Sequence, residues 1–349
     1  MAAIGPARVQ QRGAALLMAM VIVTLVATIA STMVWQQWRA VQVEAAERAR
    51  SQAHWVLVGA LDWSRLILRE DANTKTDGQL VDHLGEPWAV ELAEARLSSF
   101  LAADKNNTDD GPEAFLSGKI EDATARYNLR HVLGSDGQID TKELAVLKRL
   151  CEYAGVQSSV ADFLAKALAK ATLAVMSSSD TSAMDRLGGS QARAQAPLMP
   201  QSMDQLVWLG VDAATVERLR PWVTLLPYQA SGTKVNINTA PREVIAAVVD
   251  GLDLAGAERL VQIRQRNPFD SLGEALKQLG KSSLNLDRMD VASDYFFVRG
   301  RLRLEDNIIE QRHLVQRRVN GNEVIVRFQD TSSSIDPRVT AAVEGRINP

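Results

Sequence analysis

The sequence predicts an α+β fold. It combines a long N-terminal helix of membrane-spanning length, an antiparallel sheet near the C-terminus and a large all-α segment inserted between them. Three observations carry this expectation. No charged residue occurs from Gly13 to Trp38, and no Gly or Pro interrupts the chain between Gly13 and Gly59. Helical spacing dominates from Asp140 to about Arg288. A period of two then replaces it: Phe296, Val298, Leu302 and Leu304 alternate with Arg299, Arg301 and Arg303, the mark of a half-buried strand.

Composition excludes several function classes. The 349 residues suffice for two ordinary domains at roughly 150 residues each. One cysteine, Cys151, rules out an intrachain disulfide. With only four scattered histidines beside it, zinc-finger and multi-cysteine cluster sites are excluded as well. A net charge of −3 argues against a broadly basic nucleic-acid binder. The 46% hydrophobic content is ordinary, but its placement is uneven.

The first element is the helix. Ala14–Trp35 is long enough as a helix to cross a bilayer core of about 30 Å. Arg8 and Arg12 precede it with no acid, a pattern that holds short flanks in the cytoplasm and sends the body across the membrane. Three readings compete: a secretory signal cut before Ser31, with Thr28 and Ala30 as its small residues; a generic single-span anchor; and a short basic leader ending at Gly13 with the apolar helix starting at once. Helical continuity past Thr28 favours the last. Beyond Trp38 the pattern turns amphipathic, with Val41, Ala45, Val56, Ala60 and Trp63 expected on the docking face.

After the helix, Leu61 to about Phe100 reads as helical and mixed. Ala103–Phe115 reads as an acidic loop with turn residues, and the stretch from Gly118 to Gly134 as strand and turn. Helices are expected in DTKELAVLKRLCEYAGV and SVADFLAKALAKATLAV. The composition of Met176–Gln201 is that of a flexible linker. More helical units follow from Ser202 to Gly280. The chain closes with three strands in an antiparallel meander, turned at Asn320-Gly321-Asn322, and a loose tail from Thr331. A small sheet needs a cover for its apolar face, and the C-terminal half of the long helix is the expected cover. The resulting organisation is a leader (1–13), a rod helix (14–65), the first part of an α+β domain (66–133), an inserted helical domain (134–288), C-terminal strands (289–330) and a tail (331–349).

Candidate sites are few. Residues 236–280 resemble the helix-hairpin-helix of competence DNA receptors, with Asn238-Thr239 placed to cap the following helix and Pro241 early in it. The turn reads Gly251-Leu252-Asp253, however, so a carboxylate stands where a phosphate-binding Gly-x-Gly turn needs a second glycine. A packing hairpin is expected and no nucleic-acid partner. The alternative, a DNA-binding envelope protein of an uptake system, would depend on Lys234 and Arg264. Asp136, Asp140 and Glu143 match the second half of a calcium loop, but the first ligand positions would fall on Val132 and Gly134. The simpler expectation is a turn at Asp136-Gly137 followed by Asp140 as N-cap with Glu143 three residues on. Calcium is thus a possible cofactor and no other is expected. Asp104, Asn106, Asp109 and Asp110 read as a solvated turn. No catalytic motif is present, and Cys151, among Leu147, Leu150 and Ala154, reads as a small buried apolar residue. The Arg299, Arg301 and Arg303 row reads as a solvated strand face, or as one that meets acidic residues of a neighbouring subunit.

The junction QRG-AALL resembles the type IV pilin and pseudopilin class. That resemblance implies cleavage between Gly13 and Ala14 by an inner-membrane prepilin peptidase, methylation of the new N-terminus, and packing of the helix in a filament core. Most of that class carries Glu at the fifth mature position, where this chain has Met18. RQRGAALLMAMVIVTLVA, EPWAVEL, GKIEDATARYNLRHVL, TLLPYQASGTKVNINTAPREVIAAVV and the closing strands are similar to the minor pseudopilin K family of type II secretion systems. The chain departs from that family between Val160 and Ser202, which lacks an Asp-rich, aromatic segment. The resemblance implies a pseudopilin fold and no enzymatic activity. It further implies a single-pass protein of the bacterial inner membrane, with a cytoplasmic N-terminus and its bulk in the periplasm. The expected partners are minor pseudopilins I and J, and the expected role is to cap a pseudopilus tip that supports export across the outer membrane.

Overall fold

A computed structural model describes residues 12–74, 79–98, 113–227, 232–279, 287–304, 307–318 and 323–335. The leader up to residue 11, the acidic loop with Asp104, Asn106, Asp109 and Asp110, the turn at Asn320-Gly321-Asn322 and residues 336–349 lie outside the described residues. The chain forms two compact units, Met1–Val56 and Leu57–Pro349.

Helix α1 runs from Arg12 to Asp71. It continues through Gly59 and past the expected end at residue 65. In the first unit its apolar residues face outward, Leu17, Val23, Val34 and Trp38 each being more than half exposed. Thr24, Thr28 and Thr32 lie one turn apart and donate their hydroxyls to the carbonyls of Val21, Leu25 and Ile29 at 2.9, 2.8 and 2.7 Å. Each hydroxyl is satisfied inside the helix, so the surface of this stretch remains apolar.

In the second unit the last turns of α1 cover the sheet, as the sequence predicts, but on a different face. Leu57, Leu61 and Leu68 are buried, whereas Trp63 is 65% exposed. Leucines at spacings of four and seven form a narrower and more apolar stripe than Val56, Ala60 and Trp63, and that stripe wins the interface.

The sheet has five strands rather than three, in the order β1-β2-β7-β8-β9. These are β1 (Leu92–Arg96), β2 (Ala114–Asp122), β7 (Tyr295–Leu304), β8 (Asn307–Arg318) and β9 (Glu323–Ile335). All neighbours are antiparallel. The helix-forming composition of LAEAR is overridden at β1 by pairing with β2. Ion pairs there join Arg96 to Glu113 and Glu94 to Arg303. Strand β9 runs through Thr331 to Ile335, where a loose tail was expected. The face toward α1 gathers Phe296, Val298, Val315 and Val324 with Leu61, Leu68 and Trp88. Trp88 meets Phe296 edge-on at 5.2 Å. Gly300 makes room for the helix: a Cβ there would lie 3.0 Å from Leu57 Cδ2.

Everything between Asp122 and Tyr295 lies between the adjacent strands β2 and β7. Two short parallel pairs occur there, β3 (Tyr127–Asn128) with β4 (Val223–Thr224), and β5 (Val235–Asn236) with β6 (Met289–Asp290). The rest is mainly helical: α2 (Thr141–Tyr153), α3 (Ser158–Met176), α4 (Thr181–Leu187), α5 (Ser190–Ala194), α6 (Ala213–Leu219), α7 (Arg242–Val248), α8 (Leu254–Arg266) and α9 (Leu272–Leu279). The supposed linker 176–201 therefore contains two helices. Asp180 caps the first through Ser182 N, Gly188 at φ 97° ends it, and Ala183 is buried. The segment has its own core, including Cys151, Leu164, Leu206, Ile245 and Phe269. A separate cluster of Ala123, Leu226, Tyr295 and Leu314 joins it to the sheet.

Candidate functional site

The residues expected to matter for processing and assembly, Gly13, Ala14 and Met18, all lie in the first turns of α1. Met18 is 67% exposed, level with Leu16 and Leu17. Ala14–Asp71 contains the one stretch among the described residues that is long and apolar enough to cross a membrane. This surface offers no polar ligand set. Its chemistry is burial in lipid or against other apolar helices.

The Leu57–Pro349 unit is organised around a buried polar hub that the sequence does not announce. Arg317 of β8, 1% exposed, donates Nη2 to both oxygens of Asp82 at 2.6 Å and Nη1 to Asp71 at 2.5 Å. Its guanidinium lies over the Phe296 ring at 4.9 Å. Asp82 also accepts the backbone N–H of Ser293 at 2.7 Å. The Ser293 hydroxyl donates to Asp122 at 2.6 Å, as do the hydroxyls of Thr124 and Thr239 at 2.6 and 2.5 Å. Asn236 donates to the Ser293 hydroxyl at 2.8 Å and to the Asp82 carbonyl at 3.0 Å. One network thus ties the end of α1, the Asp82 loop, β2, the Ser293 loop before β7, and β8 to Asn236 and Thr239 of the helical segment. Burial pushes the Asp82 carboxyl up to about 7 against the opposing pull of Arg317. Burial also raises Glu86 and Asp294.

Asp71, Asp82 and Glu86 bring three carboxylates within 4.8 Å of one another, the grouping of metal-ligand type among the described residues. Arg317 already supplies the positive charge there. The sequence candidates Asp136, Asp140 and Glu143 do not converge. Asp136 accepts Gln138 N at 3.0 Å within the turn at Gly137, whose φ is 77°. Asp140 caps α2 through Lys142 N and Glu143 N at 2.7 and 3.2 Å. Glu143 does not reach back to complete a capping box; it binds the Tyr127 hydroxyl at 2.9 Å and pairs with Arg288.

The hairpin α7–α8 packs as a structural unit. Gly251 takes φ 79°, Leu252 is buried, and Asp253 accepts Gly256 N at 2.9 Å as the N-cap of α8. Arg264 is 8% exposed and donates to the Ile237 carbonyl; burial lowers it to about 10. It is therefore not presented to a phosphate. Asn238 and Thr239 do not cap α7, whose N-cap is Pro241. The Asn238 side chain instead bonds both N–H and C=O of Phe269 at 2.9 Å, and Thr239 is drawn to Asp122.

The arginine row on β7 is not a solvated face. Arg303 pairs with Glu94 and lies 3.9 Å from the Phe115 ring centre, while Arg299 faces Glu121 at 3.8 Å. Arg301 alone of the three is exposed. Sequence reasoning missed Asp71, Asp82, Asp122, Ser293 and Arg317. A signal existed for the last: Arg317 stands two residues after Val315, and therefore on the buried face of its strand.

Comparison with known proteins follows the same outline. Two family models described as "Type II secretion system (T2SS), protein K" match residues 125–228 and 235–296. Type II secretion system protein K of Pseudomonas aeruginosa is 27% identical over 85% of this chain and 86% of its own length. The protein of that name from Pectobacterium carotovorum subsp. carotovorum is 27% identical over 95% of this chain and 100% of its own. A chain in the crystal structure of the GspK-GspI-GspJ complex from the enterotoxigenic Escherichia coli type 2 secretion system shares the fold. Its TM-score is 0.57 at 17% identity, covering 83% of this chain and 99% of that one.

Proposed function

We propose that this chain, which belongs to the type II secretion system protein K family, is the pseudopilin that caps the tip of a pseudopilus and so supports protein export across the outer membrane. As a minor pseudopilin, it is a structural component. The observation that carries the reading is the outward-facing apolar surface of α1, which begins at the first residue after Gly13 and has its threonine hydroxyls satisfied internally.

In this reading a prepilin peptidase cuts between Gly13 and Ala14, and the helix anchors the subunit in the bacterial inner membrane with its N-terminus cytoplasmic and its bulk periplasmic. The helix then joins a bundle with minor pseudopilins I and J. With Met18 where most pilins carry Glu, the subunit has no carboxylate at that position to offer a neighbour's terminal amine, which suits an end position better than one in the shaft. The sequence division stands as part of the proposal: leader 1–13, rod 14–65, an α+β domain from 66–133 and 289–330, and the helical insert 134–288. The insert obstructs addition of a further subunit, and the Asp122–Ser293–Thr239 network supports its acting as a rigid extension of the sheet.

Mass spectrometry of the mature N-terminus tests the reading. A methylated chain starting at Ala14 is expected. A start at Ser31 or an intact Met1 refutes it. Cross-linking in secreting cells tests the tip position, and finding the protein along the whole shaft overturns the cap.

A further inference from the structure

We infer that Arg39, backed by Trp35, binds the phosphate of a phospholipid in the periplasmic leaflet and so fixes the depth of α1 in the bilayer. This rests on the membrane-anchored pseudopilin reading and names the lipid group that the anchor holds. The side chains concerned all lie in the first unit, on the exposed surface of α1.

Length places these residues. From Ala14, the first residue after Gly13, to Trp35 the helix rises about 32 Å, close to the roughly 30 Å hydrocarbon core of a bilayer. The headgroup layer adds about 5–7 Å on each side. Arg39 stands one turn beyond Trp35, about 6 Å further along the axis, and therefore inside that layer. Helical side chains lean toward the N-terminus, so Arg39 leans back toward the apolar stretch. Its Cζ lies 5.7 Å from the centre of the Trp35 ring. Trp35 and Trp38 are both more than half exposed. The indole thus supports the guanidinium at the level where tryptophan settles in a membrane, with an apolar ring and a polar edge.

Charge selects the occupant. Arg39 is the first charged residue after Arg12. It is exposed, and among the described residues it enters no ion pair. The first acid beyond it, Glu44, is paired with Arg48 at 2.5 Å and stands about 14 Å past Trp35, clear of the headgroup layer. The helix therefore carries one cation and no anion through the layer that holds the lipid phosphates. A guanidinium backed by a ring keeps its N–H edge for an oxyanion, and its planar fork matches two phosphate oxygens. A carboxylate on a neighbouring helix would offer similar oxygens. The subunit reaches such a neighbour only from the membrane, where phosphate already stands at this depth.

The test uses the full-length chain in bilayers of phosphatidylethanolamine and phosphatidylglycerol, in phosphate-free buffer, so that lipid is the sole source of phosphorus. Solid-state NMR reads the distance from arginine guanidinium carbons to phosphorus. A contact of about 4 Å, the range of a direct hydrogen bond, is expected in the parent, lost in Arg39→Gln and kept in Arg48→Gln. Native mass spectrometry in detergent supplies a second measurement. Phosphatidylglycerol is expected to bind about tenfold more weakly to Arg39→Gln, and severalfold more weakly to Trp35→Leu. Gln and Leu are good helix formers, and both changes lie outside the Leu57–Pro349 unit. Where Arg39→Gln fails to fold, Arg39→Lys, which keeps the charge, removes the same carbon signal and decides. An unchanged carbon–phosphorus contact in the Arg39 variants, or lipid binding equal to that of the parent, overturns the inference and leaves the pseudopilin reading intact. So does an Arg39 that shows no phosphorus contact and meets a carboxylate only after minor pseudopilins I and J are added. A chain that does not float with the vesicles refutes membrane anchoring, and the lipid contact falls with it.

Discussion

The guanidinium of Arg317 and the carboxylate of Asp82 meet with Nη2 2.6 Å from both carboxylate oxygens, at side-chain exposures of 1% and 0%. Asp71 takes the other terminal nitrogen. The pair joins β8 to the loop before Trp88 in a place where neither charge meets water. Buried charges of this kind are costly to separate, because removing one leaves the other desolvated and uncompensated.

Arg317→Met is expected to destabilise the protein by about 3–5 kcal/mol, read by chemical denaturation of a chain starting after the apolar stretch or of the whole chain in detergent. Adding Asp82→Asn to that variant is expected to recover part of the loss, since without Arg317 the buried carboxyl must either hold its proton or ionise uncompensated, a cost the amide does not carry. A cost under about 0.5 kcal/mol, typical of a neutral surface change, would show that the hub does not hold the unit together.

The pH dependence follows from the same site. Burial raises the Asp82 carboxyl from 3.8 to about 7, with Arg317 and the Ser293 N–H acting against it. The native state then holds a proton that the unfolded chain has already released. The contribution of Asp82 to stability is therefore full below about pH 4 and is lost as the pH rises toward about 7, with a slope of up to about 1.4 kcal/mol per pH unit. Denaturation midpoints measured from pH 4 to 8 are expected to show this decline in the parent and a flatter curve in Asp82→Asn. Parallel curves for the two would contradict it.

Gly118 and Gly300 face each other across β2 and β7, and the structure ranks them. A Cβ at 118 would lie 2.8 Å from the backbone oxygen of Arg299, whereas one at 300 meets the movable end of Leu57 at 3.0 Å. Gly118→Ala is expected to cost about 1–3 kcal/mol and Gly300→Ala less, because a side-chain tip gives way more easily than backbone. Urea titration of the two single variants checks the order, and the reverse order would place the tight contact at α1 instead.

Cys151 is fully buried on α2, and burial, followed by the neighbouring Glu152, pushes its thiol up to about 11. Labelling by a thiol reagent at pH 8 is expected to run on the order of 100-fold slower than for a free thiol of pKa about 8.5. Full speed should return only in denaturant. Rapid labelling of the native chain would show that the core around α2 opens readily.

Much of the fold was legible because it follows from local pattern. The uncharged run after Gly13, the alternation from Phe296 to Leu304, and Asp140 as a cap each depend on residues close in the chain. The misreadings share one cause. LAEAR forms strand β1, and Asn238 and Thr239 serve Phe269 and Asp122 instead of α7. In each case a partner far away in sequence outbids the local preference. Segment 176–201 looked like a linker because its apolar residues are few. Ala183 needs only a small contact to dock, and Asp180 and Gly188 supply the helix boundaries.

Sequence alone therefore established the apolar rod, the α+β class, the meander and the absence of a disulfide, since these rest on periodicity, length and residue type. Tertiary structure decided which stripe of α1 covers the sheet, the two added strands, the pairing of the β7 arginines and the hub around Arg317. Those depend on which side chains meet after β2 and β7 are brought together across the whole helical segment. Burial then changes the chemistry: Asp82 becomes a proton-holding group only when α1, β8 and Ser293 close around it.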